Sequence, residues 1–372
     1  MKKWSLLGVV FLVLCMVGCA NEQDNHVKND NPVNSEIASN SDSVQNSDSI
    51  ALSPNTKINE KLDDNLLVEA EFQMPEEELF TWSSKLKQFD YDKIQPIFWS
   101  DAPSKEIATD EFGMRHYKKA SLGVDKGSLI YTADDEINYI DTLCYYAKEK
   151  DIVPEKDLQF KTRDEAVQEA ETLLSKLDIG CELGEPYIIA LNSEDLNIVQ
   201  EKIMSDNEYK DMLSAKNLVN NSFKKDTELY YLEYSFVIGR IPVFGHDDPT
   251  VQYTRDIPLL AQNMRAVVML SKSGIQRVDL QGVLDVLTQN PDKADIIDYK
   301  GIKKALDKKF GDVILTDKYK VIKIWMEYFP LIESGSFEQV SVIPVWCLDF
   351  QINGETVDYT LRFNACTGEE IS

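Results

Sequence analysis

Alternation of apolar and polar residues predicts most of the strands in this chain. Residues 68–74 alternate, and residues 228–244 are rich in Tyr, Phe, Val and Ile, as expected for strands with one or two buried faces. Two strands around a turn at Asp134-Asp135 are predicted within residues 128–147. The remaining predicted strands are 186–191, 264–270, 275–280, 313–330, 340–352 and 355–364.

Helical spacing and helix start signals separate these strands. Thr162 and Glu165 fit a capping box, and apolar residues recur at helical spacing after them, which predicts a helix that ends at Gly180. Residues 194–221 and 299–311 show further helical patterns. The three glutamates after Pro75 predict a helix start, because Pro and acidic residues favour the first turn of a helix.

The Asn353-Gly354 pair is the strongest short hairpin signal in the sequence. A two-residue turn of this composition joins adjacent antiparallel strands. It pairs Ile352 with Glu355 and Trp346 with Leu361, so apolar side chains are predicted to share one face of the hairpin.

Together these elements predict an α+β fold in which helices pack on antiparallel sheets. We expect a main α+β domain at residues 66–290 and a helix with antiparallel strands at residues 291–372. Residues 19–65 are dominated by Asn, Ser and Asp and contain no aromatic residue. Such a segment buries too little apolar surface to fold, so it is predicted to form a disordered polar tether.

The first nineteen residues resemble the signal sequence of bacterial lipoproteins. Lys2-Lys3 precedes an apolar stretch at residues 6–17, and Gly18-Cys19 follows it, as in a lipobox. The resemblance implies removal of residues 1–18, acylation of Cys19, and lipid anchoring at the extracytoplasmic face of the cell membrane. The alternatives are a cleaved signal with an unrelated cysteine and an uncleaved anchor helix, although the apolar stretch is shorter than the about 20 residues of a spanning helix.

The chain is strongly acidic, with 64 Asp and Glu residues against 39 Lys and Arg residues and a net charge of −25. This balance disfavours nucleic-acid binding through a broad basic surface and docking on anionic lipid through a polybasic patch. We therefore predict no nucleic-acid partner, a contact with membrane lipid through Cys19, and an envelope protein or peptide as the further partner.

The sequence contains no recognisable catalytic or metal-binding motif such as HExxH, Gly-x-Ser-x-Gly or a P-loop. The run His246-Asp247-Asp248 favours a polar turn before Pro249, with a loop metal site as the alternative. The acidic runs at residues 76–78 and 134–136 lack the ligand spacing of an EF-hand loop and are predicted to be solvated. We predict no catalytic residue, no metal site and no cofactor.

Four cysteines follow Cys19, and their spacing matches no CxxC or zinc pattern. They are therefore predicted to be free and mostly buried thiols. These residues are Cys144, Cys181, Cys347 and Cys366.

The C-terminal segment resembles the end of PepSY-like domains. Pro344-Val345-Trp346 precedes a strand, a Gly turn, a second strand and the tail Asn364-Ala365-Cys366-Thr367-Gly368-Glu369, where the family usually has Asp-Ala-x-Thr-Gly-Glu. Residues 228–283 resemble a looser second copy. The lipobox, polar tether and mixed fold together resemble uncharacterised lipoproteins of low-GC Gram-positive bacteria. The resemblance implies a binding or regulatory role and brings no catalytic residue with it.

Three aromatic residues, Trp325, Tyr328 and Trp346, are the candidate binding residues. With Phe329 they are spaced to form an aromatic contact surface for a sugar or a peptide. Aromatic residues at strand spacing also form cores, and the pattern favours that alternative.

We interpret the chain as a membrane-anchored extracytoplasmic lipoprotein that acts as a non-catalytic binding or regulatory module of the cell envelope. One alternative is an envelope hydrolase with a carboxylate pair that folding brings together. Another is a solute-binding lipoprotein, although the hairpin-rich pattern disfavours the two parallel-sheet lobes that it requires.

Overall fold

The fold is seen in a computed structural model that describes residues 56–99, 108–109, 114–117, 120–134, 136–152, 155–207, 209, 223–244, 264–285, 287–332 and 339–371. Cys19, the signal sequence and the run at His246 lie outside these residues. None of the helices in the described ranges is long and apolar enough to cross a membrane.

These ranges contain eighteen strands and five helices. The strands are β1 (Thr56–Asp63), β2 (Leu66–Phe72), β3 (Phe80–Ser84), β4 (Ala108–Thr109), β5 (Arg115–Tyr117), β6 (Ala120–Asp125), β7 (Ser128–Thr132), β8 (Glu182–Leu183), β9 (Tyr187–Asn192), β10 (Glu228–Ile238), β11 (Ile241–Pro242), β12 (Arg265–Ser271), β13 (Gly274–Gln281), β14 (Thr288–Lys293), β15 (Tyr319–Ile332), β16 (Val340–Ile352), β17 (Glu355–Asn364) and β18 (Glu370–Ile371). The helices are α1 (Tyr91–Phe98), α2 (Glu136–Glu149), α3 (Arg163–Lys176), α4 (Ser193–Ser205) and α5 (Tyr299–Phe310).

The strands form two sheets. The first sheet has the order β1-β2-β15-β16-β17-β18, with β3 pairing both β16 and β14. The second has the order β11-β10-β12-β13-β7-β6-β5-β4, with β8 and β9 also on β10. Among the strands of the described ranges, β2 and β15 form a parallel pair and the other pairs are antiparallel. The prediction of an α+β fold with antiparallel sheets is therefore confirmed.

The first sheet joins the two ends of the described chain. β2 pairs with β15, so Leu66 lies opposite Tyr319 and Val68 opposite Val321. Sheet pairing thus crosses the predicted domain boundary at residue 290, and residues 52–372 form one compact unit.

The tether prediction is wrong for residues 56–65, because β1 begins at Thr56. This strand pairs along its length with β2, and Ile58 is its buried residue. An edge strand held by main-chain hydrogen bonds needs few apolar side chains, which is why its composition resembles that of a polar linker.

The central strands of the second sheet are buried on both faces. Leu229 and Tyr231 of β10 pack with α2 and α4, whereas Tyr230 and Leu232 lie in the larger core that also contains residues of the first sheet and of α3 and α5. Burial on both faces explains why β10 is an almost continuous apolar run rather than an alternating one.

Two elements differ from the sequence prediction in type. The second strand predicted within residues 128–147 is the helix α2, whose buried residues Ile137, Ile140 and Leu143 follow helical spacing. The side chain of Asp134 accepts a hydrogen bond from the Glu136 amide at 3.2 Å and thus satisfies a free N–H of the first turn. The predicted turn at Asp134 is the start of this helix.

The helix predicted to start after Pro75 is absent from the described residues 75–84. Residues 80–84 instead form β3, which pairs with β16 on one side and β14 on the other. The alternation of Phe80 and Trp82 with polar residues is a strand signal, and sheet pairing on both sides outweighs the helix start signal of the three preceding glutamates.

The capping box of α3 is confirmed: the Thr162 hydroxyl accepts from the Glu165 amide, and the Glu165 carboxylate accepts from the Thr162 amide at 2.9 Å. The Asn353-Gly354 hairpin is also confirmed, with positive φ at both residues and Ile352 opposite Glu355.

The register further along this hairpin differs from the prediction. An irregularity between Asp349 and Gln351 places Trp346 opposite Phe363 rather than Leu361. The register shifts by two residues, and because the strand period is also two, Trp346, Leu348 and Leu361 still share one face.

The C-terminal tail is a tight turn held by Asn364. The side-chain oxygen of Asn364 accepts from the amides of Cys366 and Thr367 at 2.9 and 3.2 Å. The main-chain carbonyl of Asn364 accepts a hydrogen bond from the Gly368 amide at 2.8 Å. The φ angle of Gly368 is +72°. An Asp or Asn side chain supplies an acceptor of this kind in turns.

Candidate functional site

The three predicted aromatic binding residues lie on two different faces of the first sheet. Trp346 and Tyr328 face the core and are 0% and 2% exposed. The Trp346 ring lies 5.0 Å from that of Phe72, and its Nε1 donates to the Ile297 carbonyl at 3.1 Å. The structure therefore does not place these residues on one exposed surface with Trp325.

Trp325 belongs to a buried polar cluster on the opposite face. Its Nε1 donates to Glu327 at 3.0 Å, and the Cys347 thiol lies 3.5 Å from the other carboxylate oxygen. Burial and the Glu327 carboxylate hold the pKa of Cys347 well above its ordinary value. A thiol in this state is protonated at neutral pH and is a poor nucleophile.

The predicted free thiols are confirmed. Cys144, Cys181 and Cys347 are buried, Cys366 is half-buried, and all four are free. Burial also raises the pKa of Cys144 and raises that of Cys181 to about 12, so these side chains act as small apolar residues of the core.

A cleft of about 370 Å³ opens where the two sheets meet. We call it the inter-sheet cleft. Its floor is apolar and aromatic and comes from both sheets: Leu79, Phe80, Trp82, Ile238, Ile241 and Tyr328. Most of these side chains are buried, while Phe80 and Trp82 are half-buried. Rigid strands rather than long loops thus position the floor.

Main-chain contacts hold the two sheets together at the cleft. Val243, just after β11, forms a parallel bridge with Tyr328 of the first sheet, and the Phe244 amide donates to the Tyr328 carbonyl at 2.7 Å. The Tyr328 hydroxyl lies 3.5 Å from the Phe80 amide. Tyr328 therefore contributes both to the sheet contact and to the cleft floor.

Carboxylates surround the mouth of the cleft. Glu77, Glu78 and Glu182 line it. Arg240 lies 3.6 Å from Glu77, and Lys293 lies 3.1 Å from Glu78, whereas Glu182 makes no ion pair within the described part of the chain.

The β10–β11 turn comes close to Glu77 at Gly239. Its φ is +62°, and a Cβ there would lie 2.5 Å from a Glu77 carboxylate oxygen. A side chain at this position would thus meet both backbone strain and the carboxylate. Glycine lets the β10–β11 turn pass directly beneath Glu77.

One donor among the floor residues has no acceptor within the described part of the chain. The Nε1 atom of Trp82 is buried and makes no hydrogen bond among the described residues. An unsatisfied buried N–H costs about 1–3 kcal/mol, so such a group calls for an explanation. The atom has essentially no surface accessible to solvent, so an acceptor on a molecule in the cleft would not reach it.

Sequence reasoning missed this cleft. Its residues come from β3, β8, β10, β11, β14 and β15 and from the adjoining turns, and Glu77 and Tyr328 are 251 positions apart. Glu77 and Glu78 were predicted to lie in a solvated helix start, and they are indeed exposed, but beside an aromatic floor. The alternation of Phe80 and Trp82 was the available signal.

Metal binding finds no support in the part of the chain that is described, where no three or more His, Cys, Asp or Glu side chains are grouped to hold an ion. The possible loop site at His246 lies outside that part.

The fold is similar to that of an uncharacterized protein from Eubacterium rectale, known from a crystal structure at 1.45 Å resolution. The two chains are 16% identical, with a TM-score of 0.55 over 86% of this chain and 94% of the other. At this identity the likeness concerns the fold. No protein-family model matches the sequence, and no curated protein is significantly similar to it.

Proposed function

We propose that this chain is an extracytoplasmic lipoprotein, anchored to the cell membrane through Cys19, that binds a ligand or partner in the inter-sheet cleft as a non-catalytic module. The anchor rests on the signal sequence and lipobox at residues 1–19. The binding role rests on the cleft.

The cleft has the features of a binding site. Its volume of about 370 Å³ falls at the lower end of the roughly 300–1,000 Å³ typical of ligand pockets. Apolar and aromatic side chains form its floor, and few polar groups lie on it. In ligand pockets the apolar lining usually supplies the affinity, and the few polar groups fix the orientation of the ligand. The apolar and aromatic floor, to which strands of both sheets contribute, is the observation that carries the proposal, because it offers apolar contact area to a bound molecule.

We further propose that the chain contains two PepSY-like units. In the C-terminal part, α5 precedes the consecutive antiparallel strands β15, β16 and β17, and it packs on them through Phe310 and Phe350, whose ring centroids are 6.3 Å apart. In the second sheet, α3 packs on β10 and β12, and β10, β12 and β13 are likewise adjacent and antiparallel. In chain order β8, β9 and α4 lie between α3 and β10, so the support is the shared packing of one helix on three adjacent antiparallel strands.

Blocking the cleft tests the binding role. Leu287→Trp adds an indole at a half-buried residue of the cleft lining and is expected to abolish capture of the partner by crosslinking in cells. Ile314→Trp is the matched control, since Ile314 is 92% exposed and does not line the cleft. Both variants are first compared with the parent protein in thermal unfolding. A folded Leu287→Trp protein that captures the same partner as the control would reject the cleft as the site.

Changing Cys19 tests the anchor separately. Cys19→Ala removes the thiol that is acylated, so the protein is expected to lose membrane attachment or to keep its signal sequence. Membrane fractionation and the mass of the N-terminal peptide measure both. Unchanged processing and attachment would reject lipidation and leave the binding proposal standing.

A further inference from the structure

The inter-sheet cleft has two zones of different polarity. Its floor is formed by buried apolar side chains such as Ile238, Ile241 and Tyr328, which are 8%, 7% and 2% exposed. Its mouth carries Glu77, Glu78 and Glu182. A molecule that satisfies both zones has an apolar group at one end and a positive charge beside it.

The mouth retains unmet negative charge. Arg240 and Lys293 face two of the three carboxylates at 3.6 and 3.1 Å, which leaves Glu182 without a partner among the described residues. The Arg240 side chain is 89% exposed, so solvent screens its attraction to Glu77. An incoming cation therefore competes with a weakly held internal guanidinium and also meets a free carboxylate.

The net charge of the whole chain acts in the same direction. With a net charge of −25, the protein attracts cations over distances up to the Debye length of about 8 Å at physiological salt. The mouth therefore selects a basic group over an acidic one.

Trp82 reports on an occupant of the cleft. It lines the cleft and is half-buried, so a molecule seated on the floor changes the surroundings of its indole. A peptide carries an apolar and a basic side chain on adjacent residues, which matches the apolar floor and the acidic mouth.

We propose that the cleft binds a peptide segment in which an apolar residue is followed by a basic one. The apolar side chain fills the floor, and the Lys or Arg side chain reaches Glu77 and Glu182. This inference rests on the proposed binding function and specifies its ligand class.

The test uses the protein without residues 1–18, carrying Cys19→Ala, labelled with ¹⁵N at tryptophan. Trp82→Phe identifies the Trp82 indole signal. The probe is acetyl-Leu-Arg-amide, and its matched control is acetyl-Leu-citrulline-amide, which has nearly the same shape and no charge. We expect the Arg peptide to shift the Trp82 signal and to bind about fivefold more tightly than the citrulline peptide.

Two variants at the mouth are expected to change the affinity for the Arg peptide in opposite directions. Glu182→Gln is expected to weaken binding of the Arg peptide, because it removes the free carboxylate. Arg240→Gln is expected to strengthen it, because the competing guanidinium is gone. Neither change should alter binding of the citrulline peptide by more than about twofold. Glu355→Gln, an exposed acid at the β16–β17 turn, is the control and should change nothing.

Other outcomes overturn the inference in distinguishable ways. Equal binding of both peptides would remove the charge requirement and leave a cleft that binds apolar peptides. Equal binding of agmatine, which has the guanidinium and no peptide group, would reject the peptide. Binding of acetyl-Leu-Glu-amide in preference to the Arg peptide would also reject it. In each of these cases the cleft still binds, and the proposed function survives. If no probe binds and Leu287→Trp also leaves partner capture unchanged, both proposals fail.

Discussion

Replacing Trp346 distinguishes a core tryptophan from a binding one. The indole is completely buried, lies 5.0 Å from the Phe72 ring and donates to the Ile297 carbonyl at 3.1 Å. Burying an aromatic side chain of about 200 Å² at about 25 cal/mol per Å² contributes about 5 kcal/mol. Trp346→Ala should therefore lower the free energy of unfolding by about 3–5 kcal/mol, the range for large aromatic truncations in cores.

Trp346→Phe separates the two contributions. The variant keeps most of the buried ring and loses the hydrogen bond to Ile297, which contributes about 0.5–1.5 kcal/mol. We expect its loss of stability to be about 1–2 kcal/mol, once the smaller ring volume is included.

Urea unfolding, followed by far-UV circular dichroism, measures both variants, with the slope m compared to show that the same transition is observed. A loss below about 1 kcal/mol for Trp346→Ala, together with lost partner capture, would refute the core assignment. That result would indicate that Trp346 belongs to an exposed aromatic binding surface.

Three further predictions follow from local geometry. Gly354→Ala should destabilise the protein by about 1 kcal/mol and Gly354→Asn by less, because φ is +88° at Gly354 and no atom lies within 4 Å of an added Cβ; equal losses in urea unfolding would contradict a purely backbone cause. Burial raises the pKa of Tyr234 and the pKa of Tyr299 above the ordinary tyrosine value, so the stability that the two protonated side chains contribute is present below about pH 10. This stability is lost as the pH rises further. Absorbance at 295 nm should report the ionisation of these two tyrosines only together with unfolding. Cys366, the half-buried thiol, should react with iodoacetamide before Cys181, whose pKa is raised to about 12; peptide mass spectrometry would show the reverse order if this assignment of burial is wrong.

Short-range sequence signals correctly predicted the elements whose formation depends on interactions between neighbouring residues. The capping box at Thr162 and the turn at Asn353-Gly354 each depend on residues within four positions of one another, and both are present in the structure. The fold class followed from the same signals, because hairpins and capped helices along the chain imply antiparallel sheets with helices on them.

Predictions that depended on tertiary context were the ones that failed. The segment after Asp134 contains Tyr, Ile and Thr residues that favour strands, yet α2 forms because its apolar residues fit against α4 and the second sheet. Residues 56–65 look like linker in composition, yet residues 56–63 form β1 because β2 offers a free edge. In both cases the deciding partner lies outside the segment, and no property of the segment itself reveals it.

The candidate site shows the same limit more strongly. The cleft exists because β3 of the first sheet and β10 of the second face each other, and Val243 bridges the sheets at Tyr328. None of these contacts has a sequence signature, since each joins segments more than 80 positions apart. The aromatic residues that stand out in the sequence, Trp325 and Trp346, instead satisfy their N–H groups inside the fold. What marks Trp82 is a missing hydrogen bond, and that is a property of the folded chain alone.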